Sequence, residues 1–205
     1  GKSMYARTGV SSSSAPLPFP TSKTVTLEYN DRITLTSSSG LIDTHVFRAN
    51  SLFDCDYTGS GHQAYSYDTY MSLYSRYEVL SANITLTMGN RDNNLAYLMA
   101  VSVQNGVSTP SDVNNYIEGP HGKWCLLGTE NSNSGYKTLS LSVNPSTYLG
   151  IVKHDDSLRA TSGTNPDSVA YFHIAGQCPQ SGTPSAVDVI VNIKFNVKFS
   201  EPLRL

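Results

Sequence analysis

Apolar and polar residues alternate strictly over long runs of this chain, the period-2 signature of strands buried on one face. The clearest run lies near the C-terminal end. There Val187, Val189, Val191, Ile193, Phe195, Val197 and Phe199 fall on one side, with Asp188, Asn192, Lys194, Asn196 and Lys198 opposite. Near the start, Val25, Leu27, Tyr29, Ile33 and Leu35 share odd numbers, and the parity survives Asn30-Asp31. One long strand with a local bend is predicted there instead of a hairpin. Between Glu78 and Met88, the side formed by Leu80, Ala82, Ile84, Leu86 and Met88 is apolar and the other is Ser, Asn and Thr. Further strands are predicted at His45 to Asn50, at Leu95 to Val103, at Lys123 to Leu127 and through Leu139, Leu141 and Val143. Ser168 to Ala175 is apolar on both faces, which predicts burial on both sides or a subunit contact.

Helical spacing is confined to the connections. Asp68 is placed to cap a short helix carrying Tyr70, Leu73, Tyr74 and Tyr77, and Ser111 to cap a single turn with Val113, Tyr116 and Ile117. The eight predicted strands are joined by connections that alternate between short, roughly 6 to 10 residues, and long, roughly 16 to 26. That alternation is what an eight-stranded jelly roll requires, since its short loops gather at one end of two packed sheets. The expected fold is therefore all-β: an eight-stranded antiparallel jelly roll of two four-stranded sheets, with short helices in the long crossovers. Residues 1–21 hold four serines and then Pro16-Leu-Pro-Phe-Pro20, so they are expected as an extended N-terminal arm lying along a surface or neighbour, ahead of a shell domain at 22–205.

Composition agrees with this picture and narrows it. A chain of 205 residues suits one domain with a sizeable core, and only 15% of it is charged. Three widely spaced cysteines, Cys55, Cys125 and Cys178, without a CxxC pair, read as free thiols in a reducing compartment. No apolar run reaches membrane-spanning length, and no secretory leader pattern opens the sequence. The formal net charge of −2 argues against a nucleic-acid-binding domain taken by itself.

The stretch Phe47-Arg-Ala-Asn-Ser-Leu-Phe-Asp-Cys-Asp-Tyr-Thr-Gly-Ser-Gly-His-Gln-Ala-Tyr, with Tyr74-Ser-Arg-Tyr-Glu-Val-Leu after it, resembles the capsid proteins of small circular single-stranded DNA viruses that encode a replication initiator, the circovirus-like group. Cys55 and Ala64 stand where that pattern usually has proline. The resemblance implies a structural virion protein that self-assembles into an icosahedral T=1 shell of about sixty copies around the genome. It implies assembly inside the host cell, with the nucleus as one site. It also implies that the short loops near Ser38, Arg91, Asn131 and Gln180 crowd a fivefold axis, and that the long crossover from Asp54 to Tyr77 lies between subunits. Such capsids usually carry a basic N-terminal arm, which this sequence does not show; a removed arm would account for the charge.

Candidate chemistry is sparse. His45, His62, His121, His154 and His173 are scattered, and neither a nucleophile elbow nor a His-x-His pair accompanies them, so no catalytic residue and no cofactor is expected. Asp54-Cys-Asp56 with His62, and His154-Asp-Asp156, offer oxygen ligands for calcium, but carboxylates capping turns explain them more simply, and no metal is expected. Tyr57, Tyr65, Tyr67, Tyr70 and Tyr74 suit a subunit interface better than a base-stacking platform, because tyrosine buries large area while keeping a hydroxyl wet. Lys194 and Lys198, then Lys2 and Arg7, are the candidate phosphate contacts, with solvated edge charges as the plain alternative for the strand pair. A carbohydrate-binding lectin-like β-sandwich is the second functional reading.

Overall fold

The computed structural model describes residues 20–180 and 186–203. Two antiparallel sheets face each other. One has the order β1-β9-β3-β6 and the other β2-β8-β4-β5. Their strands are β1 (Ser22–Leu35), β2 (Asp43–Arg48), β3 (Tyr74–Asn90), β4 (Tyr97–Gln104), β5 (Gly122–Leu127), β6 (Tyr136–Val143), β8 (Tyr171–Gln177) and β9 (Val187–Pro202), with a two-residue β7 (Arg159–Ala160) attached to β3. Each sheet thus interleaves strands from both halves of the chain. Every short connection crosses from one sheet to the other, which is jelly-roll topology.

The alternating runs explain the layering. β9 pairs along its length with β1, from Ser22↔Ser200 to Leu35↔Val187, and with β3 on its other edge. Its valines, Ile193, Phe195 and Phe199 are fully buried against Phe47, Phe172, Ile174, Met99 and Val101 of the facing sheet. Burying each such side chain contributes roughly 1.5–3 kcal/mol, so the two long hydrophobic stripes are the main stabilising element. β1 keeps register through Asn30-Asp31, as its unbroken parity requires.

β8 is buried on both faces, for a reason internal to the subunit. Phe172 and Ile174 point into the main core, while Ala175 meets Ala100, Val113 and Tyr116 on the outer side, under the short helix α2 (Asn114–Ile117). His173 is buried beside them, with Nε2 2.7 Å from the Gly106 carbonyl and Nδ1 2.9 Å from the Tyr116 hydroxyl. A neutral ring fits: Nε2–H donates to the carbonyl and Nδ1 accepts from tyrosine.

Several expectations need correction. The strands number nine among the described residues, because the last long crossover lays Arg159 and Ala160 beside Glu78 and Tyr77. A β-bulge between Val79 and Ser81 shifts the phase of β3, so Leu80 leaves the core side while Tyr77 and Val79 enter it. The crossover helix α1 covers only Tyr67–Met71; Tyr74 and Tyr77 belong to β3, and the residue before the helix is Ser66 in the left-handed region, with Asp68 inside the first turn. Ser111 does not cap α2; the Asp112 carboxylate accepts from Asn114 N–H instead. Pro145 opens a further short helix, α3 (Pro145–Leu149), whose N-cap Asn144 accepts from Thr147 N–H.

Candidate functional site

The loops that join the sheets meet at one end. The Arg91 N–H donates to the Ala186 carbonyl (3.0 Å), the Ala96 N–H to Gln180 Oε1 (3.3 Å), the Glu130 N–H to the Asp92 carbonyl (2.7 Å) and the Cys178 N–H to Ser37 Oγ (3.1 Å). Asn131 Nδ2 donates to Asn93 Oδ1 at 2.8 Å. Asn90 reinforces the bundle by donating to the carbonyls of Leu95 and Gly128, both at 2.8 Å. Arg91 also forms a bidentate pair with Asp188 at the start of β9. The first, third, fifth and seventh connections therefore form one hydrogen-bonded tip.

The first long crossover, between β2 and β3, is built around Asp56. This buried carboxylate lies 2.8 Å from His45 Nε2 and accepts from the N–H groups of Thr58 (3.1 Å) and Gly59 (2.9 Å). The Thr-Gly-Ser-Gly-His run wraps it. A Cβ at Gly59 would lie 2.5 Å from Asp56 Oδ2, and one at Gly61 would lie 2.6 Å from Asp56 Cβ and 2.7 Å from Tyr29 Oη. His62 then seats its ring on Tyr29, at 4.5 Å between centroids, with Nε2 3.0 Å from the Asn30 carbonyl. The run is a tight turn and not a phosphate loop.

The acidic groups offered as calcium ligands, in this crossover and in the last long one, are engaged by the protein itself. Asp54 pairs with Arg48 at 2.7 Å, Asp155 caps a 3-10 turn through Ser157 N–H, Asp156 faces Arg76 at 3.0 Å, and His154 Nδ1 lies 2.6 Å from the buried Glu78. Capping bonds from Ser157 hold the Asp155 carboxyl below its ordinary pKa. Among the described residues no group of three or more His, Cys, Asp and Glu is arranged to hold a metal ion. Burial pushes the Cys55 thiol well above its ordinary pKa, and its Sγ donates to the Ser51 carbonyl at 3.2 Å, so it is not a reactive thiolate.

Asn50 and Ser51, two further residues of the motif, tie the long crossovers together. Asn50 donates to the Ser168 carbonyl and accepts from Ala170 N–H, and Ser51 Oγ reaches Asn165 Oδ1 at 2.6 Å. Tyr77 donates to the Thr164 carbonyl at 3.0 Å. The departure at Ala64 has a direct cause: its N–H donates to the Leu52 carbonyl at 3.0 Å, a bond proline lacks.

The five candidate interface tyrosines separate. Tyr65 is 81% exposed and Tyr57 43%, whereas Tyr67 and Tyr74 are 1% and 3% exposed. Tyr67 accepts from Gly163 N–H and packs edge-on to Tyr77; Tyr74 donates to the Pro20 carbonyl and leans on Phe199. Those two are core residues, a correction to the expected interface set. Sequence spacing missed this because the bulged strand, not a helix, carries Tyr74. Tyr70 is intermediate, stacked on Phe199 at 4.8 Å. Tyr57 lies under Arg48, 4.9 Å from its ring centre.

Lys194 and Lys198 both stand on the outward face of the β1-β9-β3-β6 sheet. Lys194 Nζ is 3.6 Å from Glu28, so its charge is partly balanced, while Lys198 lies in register between Thr24 and Glu78. Arg32 is on the same face, opposite Ile190. The rest of that face is mostly Thr, Ser and Asn. Lys2 and Arg7 lie outside the described residues. Sequence reasoning did not single out the exposed apolar residues Trp124 and Leu126 on β5 or Tyr136 on β6, since isolated apolar residues at strand alternation look like core.

No family model matches the chain, and no curated protein does. Solved structures do. The semi-empty virus-like particle of the giant freshwater prawn (Macrobrachium rosenbergii) nodavirus is 12% identical, with 92% of this chain and 98% of that one covered and a TM-score of 0.53. Mud crab tombus-like virus is 11% identical, over 94% of this chain and 96% of that one, with a TM-score of 0.52. The empty head of turnip yellow mosaic virus is 11% identical over 100% and 93%, with a TM-score of 0.51. At such identities the likeness is one of fold: a jelly roll of the kind found in these viral shells.

Proposed function

We propose that this chain is a structural capsid subunit that self-assembles into a small icosahedral shell of about sixty copies. The observation that carries the proposal is the hydrogen-bonded tip made by all four short connections, on a jelly roll like those of the three virus structures. A tip fixed in this way presents a rigid wedge end that repeats around a symmetry axis without further ordering cost. The motif of the first long crossover supports the same reading, since Asn50, Ser51, Asp54 and Asp56 are all engaged in building a firm crossover. The protein's place is then the virion.

The enclosed genome, in this proposal, is circular single-stranded DNA. That element rests on the residues from Phe47 to Tyr65 and from Tyr74 to Leu80, because none of the three virus names is of a circular DNA virus. Lys194, Lys198 and Arg32 supply the shell wall's sequence-independent phosphate contacts, and Lys2 and Arg7 add to them from the arm. Such contacts weaken steeply with salt.

Sedimentation velocity of the purified chain, with absorbance at 260 and 280 nm recorded across the boundary, tests the proposal. A megadalton boundary is expected. A persistent monomer at concentrations well above those of ordinary subunit association refutes it.

A further inference from the structure

A groove of about 550 Å³ runs beside the edge strand β1, lined by Thr26, Glu28, Asn30, His62, Tyr65 and Tyr70. One wall is β1 itself. The other is the crossover, held there by the Tyr65 N–H donating to the Glu28 carbonyl (2.9 Å) and by His62 against the Asn30 carbonyl. The groove's aromatic rings are firmly seated: Tyr70 is stacked on Phe199, and His62 lies tilted against Tyr29. Tyr65 stands almost free in solvent, which is costly surface for an isolated subunit to leave open. Glu28 in the groove is paired with Lys194 at 3.6 Å, and the exposed Asp68 beside Tyr65 and Ser66 is the acidic group next to it.

Aromatic-lined grooves are fitted by proline-rich segments, whose ring-constrained backbone loses little entropy on docking. The chain holds one such segment. Pro16-Leu17-Pro18-Phe19-Pro20 lies just ahead of β1, and the preceding residues carry Lys2 and Arg7 but no Asp or Glu. The arm is thus complementary in charge to Asp68. Its own subunit is badly placed to receive it. The Pro20 carbonyl is fixed by the Tyr74 hydroxyl (3.1 Å), and the chain then enters β1 heading toward Thr26, so docking in its own groove would require a reversal of direction at Pro20, where proline fixes φ.

We infer that the groove between β1 and the Tyr65–Tyr70 crossover receives the Pro16–Phe19 segment of a neighbouring copy of this chain. The inference rests on the proposed shell, since it needs neighbours. The exchange gives Tyr65 and Tyr70 a role in assembly through an arm instead of through a flat face.

The test uses the full chain with a photoreactive benzoyl-phenylalanine in place of Phe19, mixed before assembly with heavy-nitrogen-labelled full chain, irradiated and digested. The same probe in place of Leu17 covers the case in which Phe19 itself is needed for particles to form. Expected are mixed-isotope adducts joining the arm to the peptide that contains Tyr65 and Tyr70, reduced about tenfold by Tyr65→Ala. Particles that form normally but give adducts within one isotope only, or to other segments or to nucleic acid, overturn the inference and leave the shell intact. An unmodified chain that forms no particles overturns both.

Discussion

Asp56 shows how much of a motif is local packing. Its carboxylate has no room for a larger neighbour, because Gly61 lies against both Asp56 Cβ and the Tyr29 hydroxyl. Gly61→Ala is expected to cost about 1–3 kcal/mol in a urea titration, and Gly59→Ala less, since there the clash is with the far end of the carboxylate. The tyrosines give a sharper contrast. Tyr74→Asp places a carboxylate among Phe199 and the Pro20 carbonyl and is expected to destabilise the subunit by on the order of 3–5 kcal/mol. Tyr65→Asp should leave the unfolding free energy within about 0.5 kcal/mol of the parent while weakening assembly. His173 makes stability depend on pH. Burial lowers its pKa below the ordinary 6.5, so the unfolded chain binds more protons just below that value. Stability is complete above 6.5 and falls as pH drops through it toward the folded-state value. Unfolding free energies from about pH 7.5 down to about 5 should slope downward with falling pH, and His173→Gln should reduce that slope.

At the scale of elements, the bulge in β3 separates what alternation predicts from what the strand does. The parity of 80, 82, 84, 86 and 88 places Leu80 with the core residues, yet it is only partly buried because one extra residue is accommodated between Val79 and Ser81. Leu80→Thr is therefore expected to cost under about 1 kcal/mol, against about 2–5 for Leu86→Ala on the same strand. Equal large losses would mean that the unbulged register is the one the protein adopts. The other strands were legible in sequence to within a few residues, most clearly β1 and β9, which bury one face, so that a one-residue slip would expose every apolar side chain. The short helices were less so. Capping by Asp68 and Ser111 failed by one or two residues: Ser66 in the left-handed region precedes α1, so Asp68 falls inside its first turn, and Asp112 takes the place of Ser111 beside α2.

For the whole molecule, the outward face of the β1-β9-β3-β6 sheet is polar but not strongly basic, because Glu28 sits beside Lys194. Replacing Lys194 and Lys198 by Gln is expected to lower the nucleic acid recovered per particle and flatten its dependence on salt, without preventing the fold. Particles with unchanged content at every salt concentration would move genome contact to the arm. The ion pairs that link distant segments, such as Arg76 with Asp156 and Glu201, are exposed and contribute little each, so the shape of the subunit is set by its core and its hydrogen-bonded tip.

What the sequence determined by itself is the set of strands, their buried faces and the alternation of short and long connections, because period-2 burial and loop length are local properties that tertiary contacts must respect. It also carried the motif from Phe47 to Tyr65, though not the reason for it. Only the tertiary structure decided that this motif closes around Asp56, that Tyr67 and Tyr74 belong to the core, that His173 and Ala175 lie beneath α2, and that the four tips are bonded together. Each of these depends on pairs of residues far apart in the chain. Their meeting is fixed by the packing of two sheets, which no single stretch of sequence contains.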